Sequence, residues 1–214
     1  MAQTYPASMF HGIDLNPVFP QTNVPANIKF GVAKLGEPLP FPDNTFQFIH
    51  QRLVAIALKT DDWDRTLKEH FRILQPGGWL ELNESDLEMS NMGPKTHSLI
   101  HTYLQVTRSR NLLPLVAREL KERLEKLQMQ NVTEICVEIS MQDDADGQTT
   151  LWDCLSPVFH NMQSYLSQIN AAFKDDDYFA QFLKDIGDEG REHKTTLRMY
   201  RVYGQKPANQ WNIK

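Results

Sequence analysis

Cysteine is scarce in this chain of 214 residues. The two cysteines, Cys136 and Cys154, are too few for a disulfide framework, and their spacing is not that of a metal site. We therefore expect both thiols to be reduced and to pack as small apolar side chains.

Long apolar runs and an excess of positive charge are also absent. The longest apolar run, residues 53–58, is far shorter than the roughly 20 residues that span a bilayer. The first residues lack the basic and apolar segments of a secretory signal. The formal net charge of −5 provides no broad positive field for nucleic acid. These features predict a soluble protein of the cytoplasm or nucleus that binds neither nucleic acid nor membranes.

Familiar hydrolase and metal arrangements are missing as well. There is no Gly-x-Ser-x-Gly elbow, and neither cysteine stands beside a histidine in the sequence. His97 and His101 have the spacing of a metal pair on a helix, but no third ligand follows nearby. The acidic segment 143–147 lacks the later Glu of a calcium loop. We predict no metal site, and an exposed loop at 143–147.

What the chain does contain is an alternation of strand-like and helix-like segments, which predicts one α/β domain over residues 1–214. Asp61 or Asp62 is expected to cap the first helix, and Pro76-Gly77-Gly78 to end it before a strand. The predicted strands cover residues 10–15, 28–32, 45–50, 79–82, 132–139 and 194–206. The predicted helices cover residues 61–74, 95–106, 114–130, 152–173 and 178–186.

Aromatic residues are concentrated in the last helical segments. They either pack in the core or form the wall of a hydrophobic substrate pocket, and core packing is favoured. These residues are Trp152, Phe159, Tyr165, Phe173, Tyr178, Phe179 and Phe182.

Three segments in order, residues 10–17, 41–52 and 70–84, resemble the class I S-adenosylmethionine-dependent methyltransferases. The likeness is to the fungal type related to regulators of secondary metabolism, and it returns weakly over residues 199–207. The resemblance implies a Rossmann-like sheet with helices on both faces and S-adenosylmethionine as cofactor. The implied function is methyl transfer to an unknown, small-molecule acceptor.

The resemblance also implies positions for the cofactor. Asp14, at the carboxyl end of the first strand, would bind the ribose hydroxyls; its alternative role is to close a turn by bonding Asn16. The remaining implied cofactor positions are Leu15 beside the ribose, Lys34 and Leu35 beside the adenine, and His50, Gln51 and Arg52 at the methionine end.

Other roles stay open at this point. His50 and Arg52 either line the cofactor and substrate mouth or cap the next helix, while Glu84 either touches substrate or is solvated, the latter being favoured. Gly77 and Gly78 are expected to be structural. No catalytic base is assigned.

The sequence departs from the family in two ways. No glycine-rich loop occurs in the sequence. The resemblance would place the family's first strand and this loop before Met1. We therefore expect an N-terminally incomplete domain whose sheet lacks the family's first strand, which is central in that sheet. The strands on either side of the missing one would then pair directly, or a protein partner or self-association would complete the sheet. Lys34 also stands where an acidic residue is expected beside adenine. The alternative function is therefore a catalytically inactive interaction module or a truncated fragment.

Overall fold

Two β-sheets with separate strand pairing make up the framework of this α/β protein, seen in a computed structural model that describes residues 1–141 and 150–208. The strands are β1 (Phe10–Asp14), β2 (Ile28–Val32), β3 (Phe46–Arg52), β4 (Leu74–Ser90), β5 (Gln130–Ser140) and β6 (Thr196–Gln205). The α-helices are α1 (Thr60–Ile73), α2 (Pro94–Ser109), α3 (Leu120–Lys126), α4 (Leu151–Asn161), α5 (Gln163–Leu166) and α6 (Asp176–Glu192). Short 3₁₀ turns cover Val116–Glu119 and Ala171–Lys174.

The pairing of the strands leaves two edges facing a cleft. β1 and β2 pair in parallel, with Phe10 opposite Ile28 and Asp14 opposite Val32. The second sheet has the order β3-β4-β6-β5, in which β3 is parallel to β4 and the other neighbours are antiparallel. Within the described residues, β3 is therefore an edge strand, and the α/β class agrees with the sequence prediction.

Helix α1 is amphipathic, which explains how it packs on the second sheet. Trp63, Leu67 and Ile73 are buried, and the first two belong to a cluster that includes Leu80 and Leu82 of β4. The N-cap is Lys59, which makes no side-chain capping bond. The predicted cap at Asp61 or Asp62 is wrong, because both residues lie inside the first turn, where their charge favours the helix dipole.

Strand β4 is longer than the predicted strand at 79–82. It begins at Leu74, directly after α1, and continues through Pro76-Gly77-Gly78 to Ser90. Gly77 adopts φ +79° and donates its N–H to the Lys206 carbonyl at 2.9 Å. A Cβ on Gly78 would lie 2.9 Å from the Gln47 carbonyl oxygen. Both glycines are structural, as predicted, but they serve strand pairing rather than a reversal.

Two hydrophobic clusters hold the helices on the second sheet. One surrounds α1 and α3, and the other joins the far end of β4 to α2, α4 and α6. Within the second cluster Tyr103 and Phe159 meet edge to face, with ring centroids 5.8 Å apart. Core packing is confirmed for Trp152, Phe159, Phe173, Phe179 and Phe182, whereas Tyr165 and Tyr178 are exposed.

Several boundaries differ from the sequence prediction. The segment 114–130 is a 3₁₀ turn followed by the short α3, and Pro157 lies inside α4. Residues 152–173 form α4, α5 and a 3₁₀ turn instead of one helix. Cys136 and Cys154 are free thiols, but both are exposed, so the expected core packing is wrong. The predicted loop at 143–147 lies outside the described residues. In the part of the chain that is described, no helix has the length and apolar character to cross a membrane.

Candidate functional site

A cavity of about 470 Å³ lies between β1 and β3 and is called the inter-sheet cavity below. It runs along the edge of β3, so that side chains from both faces of this strand contribute to its wall. The seven residues that the resemblance implies for the cofactor all line this cavity: Asp14, Leu15, Lys34, Leu35, His50, Gln51 and Arg52. The fold thus brings together residues from three separate segments, and their binding roles stay predictions.

Asp14 lies at the carboxyl end of β1, with an exposed carboxylate. Its Oδ1 accepts a hydrogen bond from the Asn16 N–H at 2.8 Å, which is the turn bond considered from the sequence. The Asp14 carbonyl accepts the Ala33 N–H at 3.0 Å and so ties the end of β1 to the segment after β2. A carboxylate offers about four acceptor positions, so the turn bond leaves acceptor capacity for a ligand.

Lys34 follows β2 and points its charge toward its own loop. Its Nζ lies 2.6 Å from Oε1 of Glu37, and the hydrogen bond and charge of Glu37 raise the pKa of Lys34. The neighbouring Leu35 packs against the cluster around α1. In this region a ligand would therefore meet backbone groups and the Leu35 side chain, and the carboxylate that lines the cavity nearby belongs to Asp62, beside Gly36.

His50 forms the start of a polar chain across the second sheet. Its Nδ1 lies 3.0 Å from Oε1 of Glu81, and the two residues are direct cross-strand neighbours. Glu81 also accepts hydrogen bonds from Arg201 Nε at 2.7 Å and from Asn83 Nδ2 at 3.1 Å. Burial alone would raise the pKa of Glu81, but the hydrogen bonds from Arg201 and Asn83 outweigh it and keep that pKa below its usual range. Glu81 is therefore an ionised partner for His50.

Gln51 and His70 supply buried polar atoms to the inter-sheet cavity. Gln51 is 6% exposed, and both its amide nitrogen and its amide oxygen lack a partner within the described residues. The amide lies beside the Glu84 carboxylate without a hydrogen bond of normal geometry. His70 of α1 is buried, its Nδ1 is likewise without a partner there, and burial lowers its pKa to about 4. His70 is missed by sequence reasoning, because its position on the inner face of α1 is typical of a core residue.

Glu84 is not solvated, which corrects the interpretation that the sequence favours. It is fully buried on β4, and its carboxylate accepts the N–H groups of Val54 at 3.0 Å and Ala55 at 3.1 Å. Burial raises the pKa of Glu84 to about 6, even though these two backbone bonds act in the opposite direction. These backbone bonds indicate that Glu84 positions the segment after β3.

Leu53 shows why this segment needs to be held. It adopts φ +54°, a left-handed conformation that is costly for a branched side chain. Its N–H donates to the Asn83 carbonyl at 2.9 Å, and the next two N–H groups are those bound by Glu84. The turn at Leu53 therefore fixes where β3 ends and presents Arg52 at the mouth of the cavity.

A metal centre is not indicated among residues 1–141 and 150–208, which contain no group of three or more His, Cys, Asp and Glu side chains able to hold an ion. His97 and His101 do share one face of α2, with nearly parallel rings whose centroids are 6.4 Å apart.

Sequence comparison links the first part of the chain to known methyltransferases. Residues 1–82 match the methyltransferase domain family. The methyltransferase pytC of Aspergillus terreus is 37% identical over 86 residues, which is 40% of this chain and 25% of that protein. The methyltransferase str2 of Strobilurus tenacellus is 35% identical over 85 residues, which is 40% of this chain and 30% of that protein. The chain therefore matches about a quarter to a third of the length of these curated relatives.

Structural comparison extends the likeness over nearly the whole chain. The protein YcgJ of Bacillus subtilis superposes with a TM-score of 0.56 at 17% identity, covering 97% of this chain and 87% of that one. Phosphoethanolamine N-methyltransferase 2 of Haemonchus contortus superposes with a TM-score of 0.54 at 14% identity, covering 96% of this chain and 46% of that one. Its structure was solved with phosphomonomethylethanolamine and S-adenosylhomocysteine. At these identities the shared property is the fold. Taken together, the comparisons match residues 1–82 to the methyltransferase domain family and show that the chain shares its fold with a solved methyltransferase.

Proposed function

We propose that the protein binds S-adenosylmethionine in the inter-sheet cavity and transfers its methyl group to a small-molecule acceptor. One observation carries this proposal. Residues of β1 and β3, together with residues that follow β1 and β2, line a single cavity that reaches the carboxyl ends of these strands, where open α/β sheets bind ligands. The matched relatives are named methyltransferases, which supports the same chemistry.

The cavity offers groups that fit this cofactor. Its volume lies within the usual range of about 300–1,000 Å³ for small-molecule sites. The buried Gln51 amide has both a donor and an acceptor available within the described residues, and buried polar groups ordinarily have partners. The Asp14 carboxylate adds acceptors at the end of β1. A ligand that carries hydroxyl, amino and carboxylate groups would satisfy these positions.

Each wall has a role in this proposal. Asp14 binds the ribose hydroxyls, the backbone around Lys34 and Leu35 borders the adenine, and Gln51 and Arg52 border the methionine end. When bound, S-adenosylmethionine supplies an electrophilic methyl group on a sulfonium. The protein contributes mainly by aligning the acceptor with that methyl group, since positioning alone accounts for a large part of catalysis in such transfers.

A second candidate function is the binding of a protein segment in the same cleft. Among the described residues β3 pairs only with β4, and β1 only with β2, so both present backbone groups that another strand can pair with. This function needs no cofactor. It predicts concentration-dependent self-association, or the capture of an extended peptide, that S-adenosylmethionine does not affect.

Calorimetric titration distinguishes the two. The proposed function predicts saturable binding of S-adenosylmethionine and S-adenosylhomocysteine at one site with micromolar affinity. A matched control is Asp177→Asn, which changes an exposed acid on α6 far from the cavity. If the folded protein gives no saturable heat with either compound, the proposed function is wrong and the interaction module remains.

A further inference from the structure

The orientation of the His50 ring is set by its partners on the second sheet. Glu81 is an acceptor when ionised, so the 3.0 Å contact requires His50 to carry its proton on Nδ1. The other ring nitrogen, Nε2, then has a free lone pair. His50 lines the inter-sheet cavity, and this nitrogen is therefore the one that remains for a ligand.

The Glu81 carboxylate is fixed in place by other residues, so it can hold the proton of His50 on Nδ1. Arg201 of β6 and Asn83 of β4 both donate to it, and its side chain is 12% exposed. The charged groups that face His50 are thus Glu81 on β4 and, behind it, Arg201 on β6, with Arg52 as the next residue on its own side of β3. An imidazole with a carboxylate behind it is the arrangement in which a histidine accepts a proton most readily.

Aromatic rings lie beside this histidine on the cavity wall. Phe48 stacks on His50, with ring centroids 6.4 Å apart and planes inclined by 23°. Phe41 and Phe46 meet edge to face at 4.8 Å, and His11 contacts both. All of these residues line the cavity. Flat apolar walls of this kind suit a planar aromatic ligand.

We propose that His50, positioned by Glu81, is the base that removes the proton of the methyl acceptor, and that the acceptor group is a phenolic hydroxyl. This inference rests on the proposed function. Glu81 acts through His50 and is a positioning residue, while His50 touches the acceptor.

Methyl transfer to the acceptor oxygen involves one proton transfer and the exchange of one carbon–sulfur bond for one carbon–oxygen bond. The acceptor hydroxyl gives its proton to Nε2 of His50, and its oxygen forms a bond to the methyl carbon. The bond between that carbon and sulfur breaks, and its electron pair stays on sulfur. The products are the methyl ether, S-adenosylhomocysteine as a neutral thioether, and an imidazolium stabilised by Glu81, which later releases its proton to water.

The chemistry of the base selects the class of acceptor. The ordinary pKa of a phenol is about 10, so a phenol is among the more acidic hydroxyls that a methyl acceptor can offer to a base. A hydroxyl as weakly acidic as water gives its proton to an imidazole only while the new bond forms, which makes it a poorer acceptor for this base. A neutral amine already has a free lone pair and needs no base before it attacks.

The first test reads the histidine itself. Long-range ¹H–¹⁵N spectra report which imidazole nitrogen is protonated, and the His50 signals among the seven histidines are assigned by their loss in His50→Gln. We expect the Nδ1–H tautomer at pH 8 in the wild type and a mixture of tautomers in Glu81→Gln. A wild-type His50 protonated on Nε2 would overturn the proposal.

The second test uses tritiated S-adenosylmethionine with 2-naphthol, 2-naphthylamine and cyclohexanol as separate acceptors. We expect methylation of 2-naphthol only, a loss of at least 100-fold in kcat in His50→Gln, and at least tenfold in Glu81→Gln with little change in KM. Glu134→Gln, an exposed change on β5, is the matched control.

The outcomes distinguish a failure of the proposed function from a failure of the role assigned to His50. If S-adenosylhomocysteine fails to bind to the wild type, the proposed function is wrong. If it binds but 2-naphthol is not methylated, if another acceptor is preferred, or if His50→Gln keeps its rate, then the proposed function stands and the assignment of His50 to a phenolic acceptor is overturned.

Discussion

Both carboxylate oxygens of Glu84 lie 3.0 Å from the amide nitrogen of Val54. This contact joins β4 to the segment that leaves β3, directly after the left-handed Leu53. The position of the cavity mouth therefore depends on a buried acid that contacts only protein groups. The ionisation of Glu84 and of His70, on the other side of the cavity, should consequently appear in the stability of the fold.

The buried Glu84 is expected to weaken the fold as the pH rises. Its folded pKa of about 6 is above the ordinary value of 4.5, so its favourable contribution is complete below pH 4.5 and is lost as the pH rises through 6. In Glu84→Gln this loss is absent. Measured by urea denaturation, the free energy of unfolding of the variant relative to wild type should increase by about 1 kcal/mol between pH 5 and pH 7.5. A constant difference across this range would contradict the burial argument.

His70 is expected to weaken the fold as the pH falls, which is the opposite pH dependence to that of Glu84. Its folded pKa of about 4 is below the ordinary 6.5, so its contribution is complete above pH 6.5 and is lost as the pH falls through 4. Between pH 7.5 and pH 5 the wild type should lose about 2 kcal/mol more than His70→Gln. The surface histidine variant His97→Gln serves as control and should follow the wild type. Parallel curves for wild type and His70→Gln would show that His70 is hydrated.

Gln51 should strengthen ligand binding while lowering the stability of the ligand-free protein. Replacing its buried amide by leucine removes polar atoms without partners among the described residues, so the ligand-free protein should gain about 1 kcal/mol. The same change should weaken S-adenosylhomocysteine binding at least tenfold. Gln47→Leu, an exposed change on the same strand, should do neither. A Gln51→Leu protein that is less stable and binds normally would assign this amide a purely structural role.

Lys206 is expected to be a major stabilising residue. Its buried Nζ donates to Asn44 Oδ1 at 2.9 Å and to the carbonyls of Phe71 at 2.8 Å and Leu74 at 2.7 Å, where α1 passes into β4. Lys206→Met leaves these acceptors without their donor and should cost about 3 kcal/mol of unfolding free energy. Lys126→Met, which breaks only an exposed pair with Glu122, should change it by under about 0.5 kcal/mol. Similar losses in the two variants would refute this role.

The sequence predicts the elements of this fold better than their ends. β1 and β2 are recovered closely because turn residues bracket a short alternating pattern on each side. β4 is not, because Pro76-Gly77-Gly78 is ordinarily a turn between a helix and a strand, whereas here Gly77 and Gly78 form backbone hydrogen bonds with Lys206, next to the end of β6. Such pairing depends on residues more than 100 positions away, as between Trp79 and Gln205.

In the candidate site as well, some residues are predicted from the sequence and others are not. Asp14, Lys34 and His50 are implied by the resemblance to methyltransferases, and each follows or ends a strand that the sequence predicts, while their binding roles stay predictions. Glu81 is recognisable as a strand residue, but its contact with His50 arises only from the parallel register of β3 and β4. Glu84 and His70 are misjudged or missed because local sequence does not report burial, and burial is the physical cause of their altered pKa values.

We infer that the inter-sheet cavity holds S-adenosylmethionine, with Asp14 as ribose ligand. Charge-assisted hydrogen bonds of the kind proposed for Asp14 contribute about 1.5–3 kcal/mol, so Asp14→Asn should weaken binding by about 10- to 100-fold. The most direct measurement is an NMR titration of the ¹⁵N-labelled protein with S-adenosylhomocysteine. The account predicts saturable shifts of the Asp14, Lys34 and Gln51 amide signals in the wild type, and the same shifts at much higher ligand concentration in Asp14→Asn. Saturation with shifts confined to residues away from β1 and β3, or no shifts at millimolar ligand, would contradict it.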